Sequence, residues 1–298
     1  MAEPQRPAIC DYEGSDYRTA FWEGKGRDYE DRVERIAIRR LMPATGERLI
    51  DVGAGFGRLA GLYRGYRQVV LFDYSRSQLQ HARGVYGDEG FLYVAGDIYH
   101  VPFAPGLFDT ALMVRVLHHI QDVPTALHAI RTILRQGGVF ILEFANKRNL
   151  KAIGRWLLGR QRWNPFDRAP VEFAELHFDF HPRYVREALQ AAHFEPGQML
   201  TVSHFRLALL KRILPTRLLV ALDALAQWTG NWWQLTPSVF VRNTAVGDVP
   251  PAVEEGAFWR CPACRSLDLM EANHVLTCHN CGMRWAKVEG VYDFKTPL

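Results

Sequence analysis

Apolar residues follow two rhythms along this chain. Short apolar runs recur near residues 48–52, 68–72, 91–95, 109–114 and 139–144. Each has the length and the Val, Ile, Leu and Phe content of a buried strand. Between and beyond them the apolar positions return at helical spacing, which predicts helices at 57–64, 76–86, 123–134 and 182–193. Residues 11–42 also read as helical, with Val33, Ile36, Ala37, Arg40 and Leu41 at helical intervals. Strands alternating with helices predict a parallel, doubly wound sheet with right-handed crossovers. Ligands of such sheets bind outside the carboxyl ends of the strands.

The first strand ends in the most informative stretch, Leu49-Ile-Asp-Val-Gly-Ala-Gly-Phe-Gly-Arg58. Glycine tolerates positive φ and has no Cβ, so a bulky ligand can lie against such a turn. The second strand closes on Asp73, about 20 residues beyond the glycines, where nucleotide-binding sheets place a carboxylate for ribose hydroxyls. Asp51, Asp73, Asp97 and Arg115 all stand at predicted strand ends, so they should converge on one cleft.

The glycine spacing is G-x-G-x-G with Asp51 ahead of it, not the G-x-G-x-x-G of dinucleotide enzymes. This turn resembles the first signature of class I S-adenosylmethionine-dependent methyltransferases. Three further segments resemble the same family in order and spacing: Phe91–Phe103 with Asp97, Leu107–Ile120, and Leu134–Glu143 with its double glycine. The resemblance is firm over 45–145 and looser to about 244, and is closest to the branch containing quinone and small-molecule methyltransferases. It implies a seven-stranded, mostly parallel Rossmann-like sheet whose last two strands form an antiparallel pair, near Met199–Phe205 and Ser238–Arg242.

The resemblance also implies roles. Gly53, Ala54 and Gly55 would expose backbone to S-adenosylmethionine, and Asp73 would accept from both ribose hydroxyls. Tyr74, Asp97 and Ile98 would meet the adenine, while Asp51 would orient the turn and the cofactor's amino group. Arg115 faces either the cofactor carboxylate, a substrate anion or a structural carboxylate. His118, His119 and Glu143 are the acceptor-side candidates, because a neutral imidazole or a carboxylate can take a proton. Tyr17, Trp22, Lys25 and Arg27 would close the pocket from the N-terminal segment, with rings able to face a sulfonium.

Four of the five cysteines lie in the last 38 residues, as Cys261-Pro-Ala-Cys264 and Cys278-His-Asn-Cys281-Gly. Two C-x-x-C knuckles at this separation suit one tetrahedral zinc ion. Two disulfides or a redox dithiol are the alternatives. His274 and His279 are nearby, but four cysteines already complete a tetrahedron. Cys10 reads as an ordinary thiol. The stretch from Trp259 to Phe294 resembles the small zinc-ribbon activators of methyltransferases, which implies a site for RNA, for a protein partner, or a brace for the main domain.

The expected organisation is a methyltransferase domain at 1–244 with a helical insert at 206–235, a Pro- and Gly-bearing linker at 245–257, and a four-cysteine ribbon at 258–298. The insert is apolar and aromatic, and reads either as a helical pair covering a sheet edge or as a lid or membrane contact. Residues 147–168 hold seven Lys and Arg against Asp167, with Trp156, Trp163 and Phe166 among them. That pattern suits RNA, an anionic membrane, a phosphorylated substrate or a solvated helix. With 298 residues and 48% hydrophobic content there is room for a large core and a second small unit. A net charge of +4 names no partner, no secretory leader is visible at the N-terminus, and no apolar run is long enough to span a membrane. The expectation is a cytoplasmic methyltransferase with a small or lipid-like acceptor. The alternatives are an RNA-modifying methyltransferase and a non-catalytic cofactor-binding scaffold.

Overall fold

The computed structural model describes residues 7–15, 19, 22, 26–247 and 256–298. Tyr17, Lys25 and most of the expected linker lie outside them. Thirteen strands are present among the described residues: β1 (Gly46–Val52), β2 (Tyr66–Asp73), β3 (Phe91–Ala95), β4 (Phe108–Met113), β5 (Leu134–Ala145), β6 (Val171–Ala174), β7 (His177–Asp179), β8 (Phe194–Val202), β9 (Ser238–Ala245), β10 (Leu269–Ala272), β11 (Val275–Cys278), β12 (Arg284–Val288) and β13 (Val291–Asp293). The helices are α1 (Asp28–Leu41), α2 (Arg76–Tyr86), α3 (Val123–Ile133), α4 (Leu150–Leu157), α5 (Pro182–Ala191), α6 (Ala208–Ile213) and α7 (Thr216–Ala226).

Eleven strands make one sheet in the order β10-β11-β12-β13-β3-β2-β1-β4-β5-β9-β8. From β3 to β5 the pairing is parallel, and β9 and β8 add an antiparallel edge. These seven strands are the expected Rossmann-like core. The other four come from the C-terminal segment. β13 pairs with β3 in parallel, Val291 opposite Tyr93 and Asp293 opposite Ala95, so the small unit extends the main sheet.

Residues two apart on a strand point to the same face, and this sorts the core into two layers. Ile50, Val52, Val70 and Phe72 face α3 and α5, through Leu127, Ile130, Val185 and Leu189. Leu49, Leu71 and Tyr93 face α1 and α2, through Val33, Ala37, Leu79 and Ala82. β13 obeys the same alternation: Val291 joins one layer and Tyr292 the other. The ribbon therefore shares both cores.

Several local expectations are corrected. The helix expected at 57–64 is a single turn at Ala60–Leu62, because Gly57 sits at φ +76°, outside the α region. Helix α1 begins at Asp28, and residues 12–14 form a turn, because this N-terminal stretch is spent on side-chain contacts with distant elements. The antiparallel pair runs over β8, which starts five residues and ends three residues earlier than expected, and β9, which starts at Ser238 as expected and ends three residues later, with Met199 opposite Val241 and Val202 opposite Ser238.

The insert between β8 and β9 forms α6, α7 and a short turn. Asp223 of α7 is fully buried, where it accepts from Tyr29 Oη at 2.6 Å and from the His204 amide at 2.7 Å. Gln227 donates to the Val33 carbonyl at 2.9 Å. These bonds tie the insert to α1.

Phe294 follows β13. It is buried against Trp259 and Trp285, and its amide donates to the Ala95 carbonyl at 2.8 Å. Truncating a buried Phe removes transfer energy and leaves a cavity. Phe294→Ala should cost about 3 kcal/mol by urea unfolding, and should speed amide exchange in β3 as well as in the ribbon.

Candidate functional site

A cleft of about 800 Å³ opens at the carboxyl ends of β1, β2 and β4. Gly53, Gly55, Asp73, Tyr74, Ile98, Arg115 and His119 line it, as expected, together with Val52, Phe72, Tyr99, Val116 and Ile120. Its surface is mostly apolar, with a few convergent polar groups, as small-molecule sites generally are.

The glycine turn is shaped by packing on one side and left open on the other. Gly53 lies at φ +75°, and a Cβ there would fall 2.1 Å from Val116 Cγ2. Gly55, at φ +53°, has nothing within 4 Å of where its Cβ would stand. A side chain at 55 would fill the cradle, and glycine leaves it free.

Asp73 closes this cradle. Its Oδ2 accepts from the Gly55 amide at 2.7 Å, and its Oδ1 from the Ser75 amide at 2.8 Å. Burial raises its carboxyl, and the two amide bonds act against that rise. Each oxygen keeps a lone pair for a ligand hydroxyl. The Tyr74 ring is half-buried, with Lys295 Nζ at 4.9 Å from its centroid, so the C-terminal end of the chain reaches the cleft wall at Tyr74.

Asp51, Ala54, Asp97, His118 and Glu143 are not among the lining residues. Asp51 lies beneath the turn and accepts from Tyr63 Oη at 2.7 Å. Burial pushes its carboxyl up to about 6, with the Tyr63 bond opposing. The Ala54 amide donates to the Phe72 carbonyl at 3.1 Å. Asp97 caps the turn at 98–100, accepting from the Tyr99 amide at 2.8 Å, with His100 Nδ1 2.9 Å from its second oxygen. It presents Ile98 and Tyr99 to the cleft.

Glu143 supports Arg115. Its Oε2 accepts from the Arg115 amide at 2.9 Å and its Oε1 from Ser238 Oγ at 2.6 Å. Arg115 needs such support, since it sits at φ +61°, a costly region for a residue with Cβ. The Arg115 guanidinium pairs with the fully buried Glu34, which also pairs with Arg58 at 2.8 Å. Burial opposes the Glu34 charge, but Arg115 and Arg58 together hold its carboxyl below the usual range. The Trp22 ring stacks near this cluster, 4.0 Å from the Arg58 guanidinium carbon and 4.9 Å from that of Arg115.

The two histidines part company. His118 is half-buried outside the cleft lining, and the loss of water around its ring holds it well below its usual pKa. His119 reaches the cleft. Its Nδ1 lies 3.0 Å from the Leu176 carbonyl, which can only accept, so Nδ1 carries the proton. Nε2 is then the acceptor, 3.2 Å from Tyr12 Oη. Burial lowers the His119 pKa to about 4, so the ring is neutral with a lone pair on Nε2 at neutral pH.

The N-terminal stretch supplies residues that periodicity did not reveal. Ala8, Ile9, Cys10 and Tyr12 line the cleft, so Cys10 is part of its wall. Glu13 anchors the stretch by accepting from the Arg76 and Ser77 amides and meeting Lys295 Nζ at 3.4 Å. His177, on the β6–β7 hairpin, stands 4.7 Å from the His119 ring. An irregular segment held by side chains has no apolar period to announce it.

The four C-terminal cysteines form one cluster, their sulfurs all within 4.8 Å of one another. Cys261 and Cys281 are 3.7 Å apart and Cys264 and Cys278 3.5 Å, far beyond the ~2.05 Å of a disulfide. Such spacings match the edges of a tetrahedron of thiolates about 2.3 Å from a zinc ion. Gly282 takes φ +73° after the second knuckle, where the chain must turn sharply.

Comparison with known proteins agrees with this geometry. Residues 50–142 match the family model described as a methyltransferase domain. The O-methyltransferase cnsE of Penicillium expansum is 32% identical over 148 residues, covering 45% of this chain and 53% of that protein. The ubiquinone/menaquinone biosynthesis C-methyltransferase UbiE of Teredinibacter turnerae is 34% identical over 113 residues, covering 35% of this chain and 45% of that one. The chain thus spans about half the length of the curated relatives it matches. Among solved structures, one chain of a Haloferax volcanii complex between the Trm112 methyltransferase activator and a methyltransferase superposes with a TM-score of 0.54 at 16% identity, covering 80% of this chain and all of that one. Residues 50–142 are thus a methyltransferase domain, set in a Rossmann-like sheet. That sheet continues into a four-cysteine C-terminal unit.

The raised Asp51 carboxyl has a consequence for stability. A group titrating at about 6 when folded and 3.8 when unfolded binds protons more tightly in the folded state. Its charge costs nothing below pH 4 and its full penalty above 6, about 3 kcal/mol for such a shift. Cofactor-free wild-type protein should therefore lose about that much stability relative to Asp51→Asn as pH rises from 4 to 7. Urea unfolding across this range checks it, and parallel curves for the two proteins would refute the burial argument.

Proposed function

We propose that the chain transfers a methyl group from S-adenosylmethionine to an O, N or C atom of a small or lipid-like acceptor. The observation that carries this reading is the cleft itself. An open glycine cradle at Gly55, a carboxylate at Asp73 and the neutral Nε2 of His119 all face one space. The named O- and C-methyltransferase relatives support the same reaction class.

The cofactor, when bound, supplies an electrophilic methyl on a sulfonium. Asp73 would accept the two ribose hydroxyls, Gly53 and Gly55 would lie against the amino-acid portion, and Tyr74 and Ile98 would flank the adenine. Asp51 and Ala54 would act from beneath, as supports of the turn. Asp97 would act by holding Ile98 in place. Arg115 would bring positive charge to the cleft edge, balanced by Glu34, and Glu143 would fix its backbone. His119 is the base best placed for an acceptor proton: Nδ1 is held by the Leu176 carbonyl, and Nε2, which accepts from Tyr12 Oη, would take the proton once an acceptor displaces that hydroxyl. His118 would contribute packing. The main catalytic gain is positional, and holding two reactants in line contributes on the order of 7–11 kcal/mol.

We further infer that the cysteine cluster holds zinc, and that residues 258–298 are a ribbon bracing the sheet edge at β3. The shared cores and the β13–β3 pairing support this role. The Trm112 activator named in the Haloferax volcanii complex fits the same idea, with the activator-like unit here in cis. Thiolate ligands go with a reducing, cytoplasmic setting. Among the described residues no helix is long and apolar enough to cross a membrane.

Incubation with methyl-labelled cofactor and fractionated cell extract tests the acceptor. Label in small or lipid metabolites is expected. Label in RNA alone would move the acceptor class to nucleic acid, a reading that the basic 147–168 segment favours. Cofactor binding with no label anywhere would leave a scaffold. Asp73→Ala should weaken cofactor binding at least about tenfold by calorimetry, since hydrogen bonds to a charged group are worth about 1.5–3 kcal/mol. Unchanged affinity would remove the ribose assignment. Stripping metal with a chelator, or Cys261→Ser, should release one zinc per chain by elemental mass spectrometry and unfold residues 258–298.

A further inference from the structure

We propose that the outward face built by α4, α6, α7 and the turn at 227–233 docks on an anionic lipid bilayer. The surface is apolar where a monomeric protein is normally polar. On α7, Leu218, Leu222 and Leu225 recur at i, i+4 and i+7 and all point outward, while Leu219 and Asp223 on the opposite side are buried. Helix α6 buries none of its residues. Leu225 is 74% exposed and Trp232 76%, values usual for charged side chains. Helix α4 adds exposed Leu150 and Leu157, one face apart by seven residues. It is brought alongside by the Leu150 amide, which donates to the Leu235 carbonyl at 2.9 Å. Residues of α4, of the β8 end and of the 226–237 segment jointly line an open groove.

Charge decides what covers it. Residues 147–168 and 206–235 hold eleven Lys and Arg, of which Lys147 is buried, against Asp167 and Asp223. Asp223 is buried, so it does not offset them at the surface. The rest of the chain carries more carboxylates than cations. Glu30 takes Lys211 at 2.5 Å and Arg206 at 3.6 Å, and Glu187 takes Arg168 at 3.1 Å. Among the described residues no carboxylate pairs with Lys151, Arg155, Arg160, Arg212 or Arg217. Exposed leucines with tryptophans, bordered by unpaired cations, are the composition that enters a headgroup layer while meeting anionic lipid. A second copy of this chain fits worse, since a two-fold interface would set these cations against themselves. RNA would meet the arginines and tryptophans of this face, but it leaves the outward aliphatic side chains of Leu157, Leu209, Ile213 and Leu225 without apolar cover, which a bilayer supplies.

The position also serves chemistry. Strand β8 runs parallel to β5, so its end at Val202 and the insert that follows lie on the same sheet edge as the glycine turn. An acceptor drawn from the bilayer would enter at the edge where the cleft opens.

The test is co-sedimentation of the full chain with phosphatidylcholine vesicles and with phosphatidylcholine–phosphatidylglycerol vesicles, at low and high salt. The expected result is binding to the mixed vesicles, weakened by salt. Arg155→Glu, Arg212→Glu and Arg217→Glu combined should reduce it about a hundredfold or more. Leu225→Ser with Trp232→Ser should reduce it about tenfold or more, because both exposed side chains lose their apolar burial. In both variants cofactor affinity and melting temperature should stay unchanged, so failure here is distinguishable from failure of the methyltransferase reading. No binding to mixed vesicles at low salt overturns the proposal. So does binding that both variants retain, or a wild-type dimer by light scattering that the Leu225→Ser and Trp232→Ser variant abolishes. Retention of RNA in place of vesicles overturns it as well.

Discussion

The Gly55 amide donates to the Asp73 carboxylate across 2.7 Å, and this bond joins the ends of two neighbouring parallel strands above the crevice. It forms with Gly55 at a positive φ, a conformation glycine adopts without steric cost, so that the turn after β1 folds back towards β2. The same carboxylate holds the Ser75 amide, and Ser75 in turn caps α2 through the Gln78 amide. One acidic side chain therefore sets the turn, the end of β2 and the start of a helix. A nucleoside bound there would find its hydrogen-bond acceptor already oriented, with its ordering cost met by the fold.

Around that bond the protein places charge in pairs and keeps the reacting edge neutral. Glu34 is buried between Arg58 and Arg115, an arrangement that removing either partner would leave as an uncompensated charge. Glu143 spends both oxygens on the Arg115 backbone and Ser238. His118 and His119 are driven neutral by burial, and the Leu176 carbonyl selects the tautomer of the second. Two elements remote in the chain, the N-terminal stretch and the β6–β7 hairpin, meet at His119 in the cleft wall.

The C-terminal segment behaves less as an appended domain than as the outer third of one sheet. β13 supplies backbone partners to an edge that β3 would otherwise expose, and exposed edges invite unwanted pairing. Tyr292, Phe294 and Trp285 fill the layer that α3 and α5 also cover. Lys295 then reaches Tyr74 and Glu13, so the C-terminal segment touches the cleft wall directly.

Much of this was legible in the chain itself. Strands β1 to β5, helices α2 and α3, the glycine turn, Asp73 and the cysteine knuckles follow from local rules: periodicity, glycine's conformational freedom and fixed ligand spacing. Their information is short-range, because each depends on neighbours within a few residues. What local pattern could not decide is which long-range partner each polar group finds. Asp51 stands at a strand end that points to the cleft, yet it lies beneath the turn, bonded to Tyr63. Glu143 became a support for Arg115, Cys10 became cleft wall, and the ribbon took a place in the main sheet. Each outcome pairs residues tens to hundreds of positions apart, set by the packing of whole layers and by the cost of burying an unsatisfied charge. Sequence alone determined the crevice and its kind of ligand, and tertiary structure decided which side chains face it and which hold it in shape.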